Sequence, residues 1–132
     1  MVLVDSSVWI DYFNGAATAE CDALDAFLGS ELVLIGDLIL IEVLQGFRTE
    51  AGYREAWDLL EPLTLCRLGG RTVALAAAEN YRYLHTRGVA VRKTIDVIIA
   101  SYCILHGLEL LHTARDFDAM VQHLGLRVHV PA

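Results

Sequence analysis

The chain has 132 residues, and its hydrophobic content of 55% with a mean hydropathy of +0.45 indicates that much of it is buried. This length suits a single domain over residues 1–132, and 10 glycines with 2 prolines exclude a disordered or low-complexity chain. The net charge of −7 argues against capture of nucleic acid by overall charge, leaves local basic patches open, and suits a basic protein partner.

The cysteines and the N-terminus indicate the compartment. Cys21, Cys66 and Cys103 lie far apart in apolar contexts, without the spacing of a zinc site, so we expect buried free thiols in a reducing cytoplasm. The start MVLVDSSVW has no features of a signal peptide. The apolar runs are far shorter than the ~20 residues of a membrane-spanning helix. We therefore expect a soluble cytoplasmic protein.

The first half of the chain alternates predicted strands and helices. The predicted strands are Val2–Val4, Leu32–Ile35 and Leu63–Leu65. The predicted helices are Val8–Phe13, Thr18–Leu28, Leu38–Phe47 and a helix from the cap Thr49 to Leu60. Ser6 or Ser7 can cap the first helix, and Asp37 is assigned a structural role as the cap of the third. Phe47, Tyr53 and Trp57 are assigned to the core, and any exposed part of them would be a candidate groove for a partner helix.

The second half continues the same alternation. Gly69-Gly70 precedes a helix from Arg71 to about Arg87, with Val73, Ala76, Ala77, Tyr81 and Leu84 on its buried face. Thr94 is the predicted cap of the helix Ile95–Leu105, and Glu109–His112 is the fourth strand. A last helix, Ala114–Leu124, and a fifth strand, Arg127–Val130, follow. The sequence predicts an α/β fold in which a mainly parallel five-stranded sheet is flanked by helices on both sides.

Four acids stand at unusual places in this pattern. Asp5 ends the first strand, Glu42 interrupts an apolar helix, Asp96 begins a buried helix, and Asp116 follows the fourth strand. Each also has a purely structural interpretation: Asp5 and Asp116 could cap helices, Asp96 could interact with the helix dipole, and Glu42 could reach water. Asp116 follows Thr113 by three residues, as in a capping box. Its structural and catalytic interpretations are equally supported. Asp118, two residues further on, is assigned to the solvated surface.

The strand ends suggest what these acids could do together. The carboxyl ends of parallel strands share one edge of a sheet, where ligands bind at the topological switch point. Clustered carboxylates repel one another and need a hard cation, and oxygen ligands select Mg²⁺ or Mn²⁺. Such an ion activates water and neutralises charge on a phosphoryl group. His106, His112, His123 and His129 share no ligand spacing and are assigned no chemical role.

The motifs MVLVDSSVWIDYF, Glu42 in its apolar helix, VRKTIDVIIASYCILHGLELLH and RDFDAM together resemble the PIN-domain family, specifically the VapC-type toxins of toxin–antitoxin modules. The resemblance spans essentially the whole chain. It implies a Mg²⁺- or Mn²⁺-dependent endoribonuclease that cuts structured RNA, often tRNA or rRNA. It also implies inhibition by a VapB-type antitoxin, a homodimer, and larger toxin–antitoxin assemblies.

Carried over to this chain, Asp5, Glu42 and Asp96 match the first three acids of the family. Ser7 matches a small polar residue that lines the site. Relatives commonly have Asp-x-Asp-Phe in the fourth region, where this chain has Ala114-Arg115-Asp116-Phe117, so Asp116 matches the second acid and Ala114 stands at the place of the first. This difference leaves open whether a second metal binds.

The mechanism expected from this match assigns the acids two different roles. Asp5, Asp96 and Asp116 would hold the metal directly or through water, and Glu42 would coordinate or orient a metal-bound water. Arg92, Lys93 and Arg115 are candidates for phosphate contact, or are ordinary solvated charges. The alternative function is a catalytically weakened PIN-like module that binds RNA or protein, which Ala114 favours. A phosphotransfer receiver is excluded because Asp5 has no acidic neighbour and no lysine follows the last strand.

Overall fold

A computed structural model describes all 132 residues and shows an α/β architecture. The strands are β1 (Val2–Val4), β2 (Val33–Gly36), β3 (Thr64–Cys66) and β4 (Glu109–Leu111). The helices are α1 (Ser6–Phe13), α2 (Ala19–Phe27), α3 (Asp37–Leu44), α4 (Glu50–Leu60), α5 (Arg71–Thr86), α6 (Thr94–His106) and α7 (Asp118–Leu124). A 3₁₀ turn, Arg115–Phe117, precedes α7 where the sequence predicted one continuous helix from Ala114.

The four strands form one parallel sheet in the order β3-β2-β1-β4. The central strand β1 pairs Leu3 with Leu34 of β2 on one side and with Leu110 of β4 on the other. Every residue of β1 and β2 is buried, which explains why these strands are continuous apolar runs rather than alternating ones.

The predicted fifth strand, Arg127–Val130, is wrong as a strand and is reduced to a single bridge between Leu110 and Val128. Leu110 donates to the Arg127 carbonyl and accepts from the His129 N–H at 2.9 Å. The next donor in this register would be residue 131, which is Pro131 and has no N–H. The pairing therefore ends after one residue.

Helix starts lie close to their predicted positions, but several caps differ. Thr49 caps α4 as predicted, by accepting from the Gly52 N–H. Asp5, rather than Ser6 or Ser7, caps α1, because the helix follows β1 without a loop. Asp37 and Thr94 are the first residues of α3 and α6 rather than their caps, since each helix begins one residue earlier than predicted.

Asp37 nevertheless has the structural role assigned to it, by a different contact. Its Oδ1 accepts from the N–H of Leu68 at 3.0 Å, a residue just beyond β3. The carboxylate thus joins the end of β2 to the segment that leaves the neighbouring strand. Asp37 therefore stabilises this edge of the sheet as well as the start of its own helix.

The helices form two packed groups around the sheet. Helix α1 contacts α2 and α3, and α3 contacts α4, while α5 contacts α6 and α7. Tyr81 and Tyr53, both predicted to be buried, are 42% and 38% exposed, and Phe47 and Trp57 are half-buried. The three cysteines are buried and free, as predicted. None of the helices combines the length and apolarity that crossing a membrane requires.

Candidate active site

The strand order determines where a site can form. From β1 the chain moves outward through β2 to β3, and then returns across the sheet to β4 on the other side of β1. The switch point therefore lies between the carboxyl ends of β1 and β4. Asp5 directly follows β1, and the segment carrying Asp116 follows β4. A hydrogen bond from the Thr113 N–H to the Ser7 hydroxyl, 3.1 Å long, joins these two segments.

Asp5 is buried at this edge, with 4% of its surface exposed. Its Oδ2 accepts from the Ser7 N–H at 3.1 Å and from the Ser7 hydroxyl at 2.6 Å. The structure shows no hydrogen bond to Oδ1. Asp5 therefore caps α1 with one oxygen and keeps the other available for a ligand.

Glu42 is half-buried on α3. Burial raises the pKa of its carboxyl group, and the negative charge of Asp5 raises it further, while the Ser6 side chain and the positive charge of Lys93 lower it. Glu42 is thus within electrostatic range of both the first acid and the basic pair before α6. The structure therefore brings Glu42 near Asp5 and Lys93, and its role in a site stays a prediction.

Asp96 is the most buried of the predicted acids after Asp5, with 5% of its surface exposed, and its Oδ2 is buried without a hydrogen-bond partner. Burial raises its pKa to about 6, and the charges of Asp5, Asp116 and Glu42 raise it as well, against the lowering effect of Lys93. The other three predicted acids therefore all act on the carboxyl group of Asp96. A buried carboxylate oxygen without a partner is costly unless a cation or a proton joins it.

Asp116 does not cap a helix, because neither the 3₁₀ turn nor α7 has a side-chain cap. Its two oxygens instead accept from the Arg92 guanidinium, with Nε to Oδ1 at 3.2 Å and Nη2 to Oδ2 at 3.0 Å. This pairing lowers the pKa of Asp116. Arg92, Asp96, Arg115 and Asp116 line a cavity of about 180 Å³, so the third and fourth acids share one opening.

The predicted basic residues surround the acids. Arg92 holds Asp116, and the charge of Lys93 lowers the pKa of Glu42, Asp96 and Asp116. Arg115 lines the cavity without an ion pair to Asp116. Asp118 is exposed, as predicted. Phosphate contact by the three basic residues stays a prediction, since Arg92 and Lys93 already act as counter-charges to the acids.

The fit of a divalent cation can be tested on this arrangement. As the side chains stand, no three Asp, Glu, His or Cys residues converge closely enough to form a ready ligand set. However, Asp96 presents a buried oxygen without a partner, and the charges of three further acids act on it. Carboxylate oxygens are the ligands that Mg²⁺ and Mn²⁺ prefer. The residue types therefore fit a hard divalent cation, and the acids would move closer together than they lie in this structure to form its ligand set.

Two contributors to this edge were missing from the sequence prediction. One is the backbone N–H of Thr113, which positions Ser7, and the other is the Ser6 side chain beside Glu42. A backbone group has no sequence signal. Ser6 could have been found from its place in the sequence between Asp5 and Ser7.

Comparison with known proteins agrees with this fold. The sequence profile of the PIN domain matches residues 2–121. Ribonuclease VapC11 of Mycobacterium tuberculosis is 27% identical over 129 residues, covering 96% of each chain.

Two solved structures show the same fold. A chain in the structure of VapBC2 from Rickettsia felis bound to a DNA fragment from its promoter aligns with a TM-score of 0.78 and 16% identity, covering 98% of each chain. VapC20 of M. tuberculosis, described as a sarcin-ricin loop cleaving toxin, aligns over 100% of each chain with a TM-score of 0.69 and 16% identity. Since the domain profile covers far more than half of the chain, the protein belongs to the PIN domain family.

Proposed function

We propose that this protein is the toxin of a toxin–antitoxin module and acts as a Mg²⁺- or Mn²⁺-dependent endoribonuclease. It would hydrolyse phosphodiester bonds in structured RNA such as tRNA or rRNA. Support comes from the family, from the relatives named as VapC ribonucleases, and from the fold shared with chains of VapBC complexes. The single observation that carries the metal dependence is the buried, unpartnered Oδ2 of Asp96 under the charges of three other acids.

In this mechanism the chain contributes ligands and a proton acceptor. Asp5, Asp96 and Asp116 would hold the divalent ion, which supplies an activated water and neutralises charge on the phosphate. Glu42 would orient the attacking water and accept its proton, a task for which a raised pKa suits it. Ser7 keeps Asp5 oriented through its hydroxyl. Lys93 and Arg115, both exposed, would contact the RNA backbone.

The proposed partner is a VapB-type antitoxin with a basic segment. The surface beside Glu42 offers an apolar cavity of about 170 Å³ lined by Ile10, Phe13, Val43 and Phe47. Ile10 is 44% exposed there. An amphipathic segment could place apolar side chains in this cavity and a basic side chain against the acids, which agrees with the acidic chain. A homodimer within the cytoplasm is part of the same proposal.

The test is RNA cleavage by the purified protein, with tRNA and rRNA substrates, in Mg²⁺ or Mn²⁺ and in EDTA. We expect cleavage only with the divalent ion. Asp96→Asn should lower the rate about 100-fold or more, because it removes a charged ligand. Asp118→Asn is the matched control, since it removes an exposed carboxylate close in sequence to Asp116, and it should retain activity within about twofold. Equal activity of Asp96→Asn and wild type would refute the proposed site.

A second candidate function is a PIN-like module that binds RNA or protein without cleavage. Ala114 favours it, because this half-buried residue supplies no oxygen ligand in the segment before Asp116. Titration of the purified protein with Mn²⁺ separates the two candidates. A non-catalytic module would show no specific binding and no cleavage, whereas the proposed enzyme would bind Mn²⁺ in a manner that depends on Asp96.

A further inference from the structure

The pairing of Arg92 with Asp116 connects two segments that are 24 residues apart in sequence. Arg92 precedes α6, the helix that carries Asp96, and Asp116 lies in the 3₁₀ turn after β4. Both carboxylate oxygens are engaged by the guanidinium, in the two-point geometry that makes arginine–carboxylate pairs specific. Asp116 therefore has no oxygen free of Arg92 in this arrangement.

The neighbouring carboxyl group of Asp96 has no such arginine partner. Asp96 lines the same cavity as Arg92 and Asp116, and its buried Oδ2 has no partner. A divalent cation that joins this oxygen would stand close to the Arg92 guanidinium. Since both are positive and both need the carboxylate of Asp116, they compete for it.

Arg92 can leave without disturbing the fold. Its side chain is 73% exposed, whereas the side chain of Asp116 is 23% exposed. Arg92 can therefore move into water, while Asp116 remains at the cavity. Water screens an ion pair with so exposed a partner, so a divalent ion can displace Arg92 from Asp116.

We propose that Arg92 is an internal counter-ion of Asp116 that competes with the divalent cation and so sets the cation affinity of the site. Arg92 is a positioning residue in this proposal, since it acts through Asp116. The proposal rests on the metal-dependent function proposed above. Arg92 holds the acidic edge together when the cation is absent and releases Asp116 when the cation binds.

The experiment measures Mn²⁺ affinity directly, from the electron paramagnetic resonance signal of free Mn²⁺ in a titration of the purified protein. Arg92→Gln should bind Mn²⁺ about 2- to 5-fold more tightly than wild type, which corresponds to the loss of one partly exposed ion pair. Arg92→Lys keeps the charge but not the two-point geometry, so its Mn²⁺ affinity should lie between those of wild type and Arg92→Gln. Arg115→Gln is the matched control, because Arg115 lines the same cavity without pairing with Asp116, and it should change the affinity less than about twofold.

A double-variant cycle separates the ion pair from a general charge effect. In the Asp116→Asn background, Arg92→Gln should no longer tighten Mn²⁺ binding. Equal tightening with and without Asp116, or by Arg115→Gln, would overturn the proposal. If wild type and Arg92→Gln bind Mn²⁺ equally and Asp96→Asn abolishes binding, only this inference fails. If neither wild type nor Arg92→Gln binds Mn²⁺, the proposed metal-dependent function fails with it.

Discussion

At the scale of single residues, Asp96 is the group whose chemistry depends most on its surroundings. It lies in the first turn of α6, where a helix alone would favour its ionised form. Burial and the charges of Asp5, Asp116 and Glu42 outweigh that preference and raise its pKa to about 6. Asp96 is therefore still mostly ionised at pH 7, but its charge is less stable than that of an exposed aspartate, and a bound cation would stabilise it.

This shift predicts a pH dependence of stability. The folded pKa of Asp96 lies above its ordinary value of 3.8, so the folded state binds this proton more tightly than the unfolded state. The stabilisation is present below about pH 4 and is lost as the pH rises to about 6. We expect metal-free Asp96→Asn to be more stable than wild type at pH 7, by on the order of 2 kcal/mol, and to lose this part of the pH dependence.

Urea unfolding from pH 4 to pH 7 in EDTA checks this expectation. Asp118→Asn is again the control, since an exposed carboxylate should change stability little. Addition of Mn²⁺ should stabilise wild type more than Asp96→Asn, because binding to the folded state raises the free energy of unfolding. A lower stability of Asp96→Asn at pH 7 without metal would contradict the prediction.

At the scale of elements, Ser7 links two strand ends. It lies in the first turn of α1, donates to Asp5 at the end of β1, and accepts from Thr113 after β4. One hydroxyl thus orients an acid and positions the segment that leads to Asp116. Ser7 therefore has a structural role at this edge of the sheet.

Removing this hydroxyl has a specific consequence. Ser7→Ala should destabilise the protein by about 1–2 kcal/mol, since Asp5 loses a donor and the Thr113 N–H loses its acceptor. The Thr113 amide should exchange with solvent faster, which amide hydrogen exchange by NMR measures. Ser30→Ala, which alters an exposed serine far from the site, should leave Thr113 exchange unchanged. Unchanged Thr113 exchange in Ser7→Ala would show that the link does not hold this segment.

At the scale of the whole molecule, the position of β1 in the sheet decides where the acids meet. β1 lies between β2 and β4, and its residues, such as Leu3, are fully or almost fully buried in the main core cluster. One helix group carries Glu42 and the other carries Asp96. Because β1 carries Asp5 at its end and is buried between its neighbours, the relative position of the acids depends on the packing of this strand.

A pair of identical substitutions tests this dependence. Leu3→Ala in β1 should lower the free energy of unfolding by about 2–5 kcal/mol, because Leu3 is completely buried and leaves a cavity. Leu75→Ala on α5, where the side chain is 61% exposed, should change stability by about 0.5 kcal/mol or less. Chemical denaturation measures both. Similar effects of the two substitutions would contradict the assignment of β1 to the centre of the core.

Much of the fold follows from local sequence patterns. Apolar runs predicted β1, β2, β3 and β4 close to their observed positions, and Thr49 was predicted correctly as the cap of α4. Local patterns also pointed to all four acids, because Asp5 and Asp116 follow predicted strands, Glu42 interrupts an apolar helix and Asp96 begins a buried one. Strand positions and helix caps depend mainly on residues close by in the chain, so they can be predicted from the sequence alone. The ligand and proton-transfer roles of the acids stay predictions.

Only the tertiary structure decided the pairing of distant groups. Arg92 and Asp116 meet across 24 residues, and the Thr113 N–H meets Ser7 across 106, so no local pattern could reveal either contact. The fifth strand was lost because its next donor would be Pro131, a condition that depends on register with β4. The sequence by itself determined the order of the elements and the residues with charge to contribute. Which of those charges face one another was determined by the order of the strands, since contacts across a sheet depend on topology rather than on neighbours in the chain.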